Sequence, residues 1–203
     1  MLISRQLCAA INDQIGHEFG ASLQYVSIAA HFERKKLSIL SKLFFDQSEE
    51  ERKHAMKFVK YVLDTQGELK VPPVPAPAES FPTAEDAVQA ALAWENQVTG
   101  QISNLMTMAV KENDYLAQSF LQWFVDEQLE EVVKMDRLLG FLGILFGILG
   151  GNLLALEMSV PSVIPWDWVA IGVLVCSCVG IGFGTYPAWK AANMDPIDAL
   201  RYE

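Results

Sequence analysis

The segment that most constrains the fold lies mid-chain, where residues 67–82 read GELKVPPVPAPAESFP. Prolines at this density exclude an α-helix, because each removes a backbone donor and clashes with the preceding turn. Such a segment gains about 3.1 Å per residue and so reaches roughly 50 Å. The helical stretches on either side have about 28 residues and reach roughly 42 Å. The segment can therefore run the full length of its neighbours, and we expect those two helices to be parallel.

Apolar residues recur in alternating steps of three and four in four stretches, which is typical of helices with one buried stripe. We predict these helices at about residues 4–33, 38–65, 83–111 and 114–138. The connections within the first pair and within the last pair are short, so the helices of each pair are antiparallel neighbours. Together with the long crossover, this predicts an all-α four-helix bundle over residues 1–137.

The apolar stripe of every predicted helix is interrupted by residues that commonly bind metals. They are Glu18 on the first helix, Glu51 and His54 on the second, Glu95 on the third, and Gln128 and Glu131 on the fourth. Buried carboxylates repel one another and cannot all stay ionised. Since no Lys or Arg occupies these stripes, a metal is the expected counter-charge. A single inward Glu can be a tolerated core residue, but six such positions at one depth favour a metal site.

The spacing and the ligand types narrow the choice of metal. Glu51 and His54 are three residues apart, so they share a helix face and can bind one ion together. Oxygen-rich ligation with a single imidazole suits iron or manganese. The formal net charge of −10 makes nucleic acid an unfavourable partner. The first residues lack the long apolar run of a signal peptide, so we expect residues 1–137 in the cytoplasm.

Residues 1–137 resemble the non-haem bacterial ferritins in four motifs. These motifs are NDQIGHEFGASLQY, FFDQSEEERKHAMKFVKYVLDTQG, ALAWENQVTGQI and DYLAQSFLQWFVDEQLEEV. The resemblance implies the ferritin-like fold and a di-iron centre whose two sites share one ligand. The implied ligands are Glu18, Glu51 and His54 in one site, and Glu51, Glu95 and Glu131 in the other, with Gln128 close by.

The resemblance also implies an activity. Fe(II) would be oxidised to Fe(III) by O₂ or H₂O₂ and stored as a ferric mineral inside the homo-oligomeric 24-subunit cage of the family. Tyr25 would be the tyrosine that takes part in electron transfer. Glu50, Glu127 and Glu130 would correspond to a third iron site, although they can equally form a solvated acidic face. Haem is not expected, because the fourth helix lacks the E-x-x-H motif of the bacterioferritins and the second helix offers no Met beside Glu51.

The remaining residues, 138–203, have a different character. The runs 138–156 and 168–189 are apolar and close to the length of about 20 residues that crosses a bilayer. Lys and Arg flank the outer ends of the pair, and the loop between the runs has none, which places both ends in the cytoplasm. We therefore predict a transmembrane helical hairpin that tethers the bundle to the inner face of the cell membrane. The alternative is a hairpin buried against another protein core.

The C-terminal stretch GIGFGTYPAWKAANMDPIDALRYE resembles the end of ABC transporter permeases of the macrolide-export and lipoprotein-release type. This resemblance begins near Gly140 and includes only the last two membrane helices, so the tail alone cannot transport. The chain then reads as a natural fusion, an engineered chimera or a gene-assembly artefact. The alternative function is a membrane-associated, permease-like component in which the bundle is only structural. Twenty-four copies of such a hairpin also fit poorly around an aqueous cage.

Overall fold

Four helices account for most of the described chain. In the computed structural model the described residues are 2–157, 166–167, 170–172 and 174. The helices are α1 (Arg5–Arg34), α2 (Ser38–Asp64), α3 (Ala84–Lys111) and α4 (Tyr115–Glu157). No strand occurs among these residues. The predicted all-α, ferritin-like helical bundle is confirmed, and the ends of α1, α2 and α3 agree closely with the predicted ones.

The first three helices end in the same way. Lys36, Gln66 and Asn113 follow α1, α2 and α3 and have positive φ angles of 60°, 57° and 52°. In each case the next backbone N–H donates to the carbonyl five residues earlier, as in the bond of 2.8 Å from Gly67 to Val62. This arrangement satisfies carbonyl groups that the last helical turn would otherwise leave unpaired. The short connections predicted within each helix pair are built on these turns.

The Pro-rich crossover packs along α1. Asn12 donates to the Glu68 carbonyl at 2.8 Å, and further along α1 Gln24 accepts from the Ala78 N–H at 2.9 Å. Between them, a Cβ added to Gly16 would lie only 2.5 Å from a proline ring carbon of the crossover. The crossover therefore follows α1 from its N-terminal part towards its C-terminal part. Helix α3 therefore begins at the end of the bundle opposite to the one where α2 ends, so α2 and α3 are parallel.

Two apolar clusters form the interior, and the polar stripe residues lie between them in sequence. One cluster contains Ile11 and Ile15 of α1 with Phe58 of α2. The other contains Tyr25 and Phe32 of α1. Burying a large apolar side chain contributes about 1.5–3 kcal/mol, so both clusters stabilise the bundle on either side of the polar layer.

Helix α4 continues well beyond the predicted end of the fourth helix. Leu142 is only 3% exposed and belongs to the second apolar cluster. The compact unit that contains the bundle runs from Met1 to Phe146, and a second unit begins at Gly147. The boundary predicted between 137 and 138 thus falls inside a continuous helix. The predicted second apolar helix, 168–189, lies largely outside the described residues.

One helix in the described part of the chain meets the length and composition expected of a membrane span. It covers Tyr115–Leu154. Its most apolar window of 18 residues has a mean hydropathy of 1.7, and 6% of that window is buried. Phe141, Leu149 and Leu153 are more than half exposed. The criterion rests on length and composition alone, so the membrane hairpin stays a prediction.

Candidate metal centre

The polar stripe residues of the four helices converge in the bundle interior. Ligand atoms of Glu18, Glu51 and His54 lie within 4.8 Å of one another, and so do oxygen atoms of Glu51, Glu95 and Glu131. All five side chains belong to residues that are at most 5% exposed. Glu51 belongs to both groups, so the two sets of donors are adjacent and share one carboxylate. The structure thus brings together five of the six polar stripe residues that the sequence singled out.

His54 is oriented by its position on α2. Its Nδ1 atom lies 3.3 Å from Oε2 of Glu51 and 4.0 Å from Oε2 of Glu18. Its Nε2 atom faces away from these oxygens and lies 3.8 Å from Oε1 of Glu127. The ring of Trp123 packs edge-on against the imidazole, with centroids 5.3 Å apart. Nδ1 is therefore the nitrogen that can bind a cation together with the two carboxylates.

Glu18 provides an observation that tests whether a cation fits. Its Oε1 atom accepts a hydrogen bond of 2.8 Å from Gln14. Its Oε2 atom is buried and has no hydrogen-bond partner among the described residues, although it faces His54 Nδ1. A buried carboxylate oxygen without a partner is costly and uncommon. A cation held between Glu18, Glu51 and His54 would satisfy it, so the donor set fits a metal ion.

Within the second group, Glu95 is held by two neutral donors. The Tyr25 hydroxyl donates to Oε1 of Glu95, and Tyr25 is fully buried. Gln128 Nε2 lies 3.3 Å from the other oxygen, Oε2 of Glu95. Gln128 thus lies next to the second group, and its side-chain amide orients the Glu95 carboxylate. Both hydrogen bonds keep the Glu95 carboxylate directed towards Glu51 and Glu131.

Burial and mutual repulsion perturb the carboxyl groups. Burial raises the pKa of Glu18 well above its usual range, and the nearby charge of Glu51 raises it further. The same two causes raise the pKa of Glu95 to about 8. Burial, followed by the charge of Glu95, raises the pKa of the Tyr25 phenol well above its usual value. The phenol therefore keeps its proton, and a cation entering the site would displace protons from the carboxyl groups.

Lys134 is a cation that the sequence analysis did not anticipate. Its Nζ atom lies 2.8 Å from Glu131 Oε1, 2.8 Å from Gln47 Oε1 and 3.3 Å from Glu50 Oε2. Gln47 in turn donates to Glu131 and, at 3.3 Å, to Glu51. The expectation that only a metal supplies positive charge here was therefore incomplete. Lys134 does not belong to the apolar stripe of α4. It lies three residues after Glu131, however, and residues at this spacing are neighbours on the helix surface.

The three residues considered for a third site do not form a close group. Among the described residues, neither group of three convergent donors includes Glu50, Glu127 or Glu130. Glu50 pairs with Lys134, and Glu127 lies beside His54. Glu130 is exposed. Glu50 and Glu127 thus lie beside different partners, and the three carboxylates do not share a point.

A bundle of four helices with one long crossover and an interior layer of convergent carboxylates defines the ferritin-like class of proteins. The ferritin-like domain family matches residues 8–142, and the chain belongs to this family. The ferritin BfrB of Mycolicibacterium smegmatis is 45% identical over 130 residues, which cover 64% of this chain and 72% of the relative. A bacterial non-heme ferritin of Staphylococcus aureus is 32% identical over 141 residues, which cover 70% of this chain and 85% of the relative.

A solved structure of the same class is also similar. The open pore ferritin of the archaeon Archaeoglobus fulgidus superposes with a TM-score of 0.69 at 32% sequence identity. The match covers 71% of this chain and 89% of that one. The family match ends at residue 142, so the resemblance of the C-terminal residues to ABC permeases stays a prediction.

Proposed function

We propose that this protein stores and detoxifies iron by oxidising Fe(II) to Fe(III) at a centre for two iron ions. The observation that carries the proposal is the pair of buried donor groups that share Glu51. Its relatives are named as ferritins, which supports iron as the substrate. No haem is required, because the proposed chemistry uses only the carboxylates and one imidazole.

Two adjacent iron sites suit the electron count of the reaction. Two Fe(II) ions each lose one electron, and one O₂ molecule accepts both electrons with two protons to leave as H₂O₂. When H₂O₂ is the oxidant, its O–O bond breaks, and two protons and two electrons convert it to two water molecules. Carboxylates favour Fe(III) over Fe(II), because hard anionic oxygen ligands stabilise the higher charge.

Each side chain has a distinct role in this proposal. Glu18 and His54 would hold one ion, Glu95 and Glu131 the other, and Glu51 would contact both. Gln128 would orient Glu95 through its amide.

Tyr25 is the residue that would take part in electron transfer beside the centre. Its hydroxyl donates to Glu95, so the phenol is coupled to the second group through one hydrogen bond. The ferric product would then leave for storage as a mineral in a homo-oligomeric cage of the kind that ferritins form.

The variant Glu51→Ala tests the proposal because it removes the shared ligand. We expect the rapid phase of Fe(II) oxidation to disappear while the helix content stays unchanged. The control is Glu49→Ala, which removes an exposed carboxylate of the same helix that pairs with Arg52. Stopped-flow absorbance of the Fe(III) product measures the rate, and circular dichroism measures the helix content. Unchanged initial rates in Glu51→Ala would contradict the proposed centre.

A second proposal concerns location. The long exposed apolar part of α4 supports attachment of a cytoplasmic bundle to the inner face of the cell membrane. Fractionation of cells that produce the full chain tests this attachment. Recovery of the full chain in the soluble fraction without detergent would contradict it.

A further inference from the structure

Lys134 forms a bridge beside the candidate centre. Its ammonium group contacts Glu131 and Gln47 at 2.8 Å each and Glu50 at 3.3 Å. Glu131 comes from α4, whereas Gln47 and Glu50 come from α2. The ammonium group is thus held between two helices by one buried carboxylate and one half-exposed carboxylate.

We propose that Lys134 is a built-in counter-cation that takes the place of a third metal ion, so that each bundle binds two ions instead of three. This inference rests on the proposed function, which supplies the two ions. Lys134 acts here as a positioning residue, since it contacts Glu131 and not the reacting atoms.

The contacts of the carboxylates support this exclusion. A third ion on the outer side of Glu131 would need oxygen atoms from Glu131 and Glu50. Both already accept a hydrogen bond from the same ammonium group. A divalent ion placed beside that group would also meet a like charge at short range. The ion must therefore displace Lys134 before it can bind.

The remaining acidic side chains do not offset this competition. Glu127 Oε1 lies 3.8 Å from His54 Nε2, so this carboxylate faces the imidazole. Glu130 is exposed and would have to give up its hydration to reach an ion. When a neutral residue replaces Lys134, the oxygen atoms of Glu50 and Glu131 that it now contacts become available as ligands. The charge of this one side chain then decides whether a third ion binds.

The test counts metal ions at equilibrium and needs no turnover. Purified full-length protein is freed of metal with a chelator and titrated with Zn²⁺, which is not oxidised, by isothermal calorimetry and elemental analysis. We expect the variants Lys134→Met and Lys134→Gln each to bind one more Zn²⁺ per chain than the wild type. Lys134→Arg, which keeps the charge, should bind as many as the wild type. Adding Glu50→Gln to Lys134→Met should remove the extra ion.

The control variant is Lys60→Met, which changes the net charge by the same amount. Lys60 is on α2, and its exposed ammonium group pairs with Asp64, away from the centre. It should leave the number of ions unchanged. Equal numbers of bound Zn²⁺ in the wild type and both neutral Lys134 variants would overturn the inference, as would an extra ion in Lys60→Met. The proposed function fails separately, if Glu51→Ala binds as many ions as the wild type.

Discussion

The Nδ1 atom of His54 lies 3.3 Å from Oε2 of Glu51, the residue one helical turn earlier on α2. The two side chains project from the same face because residues three apart on a helix are neighbours. The backbone of a single helix thus preorganises two of the five ligands of the candidate site. The other helices need only bring carboxylates to this pair, and Glu18, Glu95 and Glu131 do so from three different helices.

The hydrogen bond from Tyr25 to Glu95 predicts the effect of removing one hydroxyl group. Tyr25→Phe keeps the buried ring but leaves Glu95 without its phenol donor. Because that hydrogen bond orients Glu95 and small displacements of a reacting group slow a reaction, we expect the initial rate of Fe(II) oxidation to fall by roughly tenfold or more. The number of Zn²⁺ ions bound should not change. Stopped-flow oxidation and calorimetric titration measure the two quantities, and an unaltered rate would rule out a role for the hydroxyl.

The burial of His31 predicts a pH dependence of stability. His31 is 4% exposed, its ring lies edge-on to Phe32 and Phe81, and in the described part of the chain its Nε2 atom has no hydrogen-bond partner. Burial lowers its pKa below 6.5, and the charges of Lys35 and Arg34 add to this. As the pH falls below 6.5, the His31 imidazole therefore binds a proton more readily in the unfolded chain than in the folded chain.

The sign of the effect follows from that difference. The free energy of unfolding should fall as the pH decreases through 6.5, and the contribution of His31 to this loss should vanish in His31→Phe. Urea unfolding of both proteins at several pH values between about 7.5 and 5.5 measures the difference. Identical pH dependence in the two proteins would show that His31 is not protonated more easily on unfolding.

The contact between α1 and the crossover predicts opposite effects for two Gly→Ala variants. A methyl group at Gly16 would lie 2.5 Å from a proline ring carbon, so Gly16→Ala should destabilise the fold by about 1–3 kcal/mol through overpacking. Gly100 is also helical, but a Cβ there meets no atom of the described residues within 4 Å. Gly100→Ala should stabilise the fold by up to about 1 kcal/mol, because Ala favours the helix. Thermal unfolding of both variants checks the pair, and stabilisation by Gly16→Ala would show that the crossover does not pack tightly there.

The position of Leu142 predicts where the chain can be shortened. Ending the chain after Phe146 keeps Leu142 in the core, whereas ending it after Arg137 removes that buried side chain. Losing one such side chain costs about 1.5–3 kcal/mol, so the shorter form should unfold at a lower temperature. Both should stay in solution without detergent, unlike the full chain. Size-exclusion chromatography and calorimetry test the three proteins, and equal stability of the two shortened forms would exclude Leu142 from the core.

The acidic residues show how far the sequence could determine the site. The faces of regular helices follow from periodicity, because 3.6 residues per turn place residues three and four apart together. The inward positions of Glu18, Glu51, His54 and Glu95 could therefore be predicted from the pattern alone. The Pro-rich segment likewise predicted one long crossover, since proline cannot continue a helix.

Only the tertiary structure determined the surroundings of these ligands. Lys134 reaches Glu50 and Gln47 on another helix, and the sequence gives no distance between two helices. The apolar core ends at Leu142 because of the side chains that pack against α4. The sequence of α4 is a continuous apolar run in this region and does not mark where the core ends. Backbone periodicity is a local property, whereas the reach of a long flexible side chain depends on the neighbours that folding brings to it. For that reason the residues of the candidate centre could be read from the chain, while the cation beside them could not.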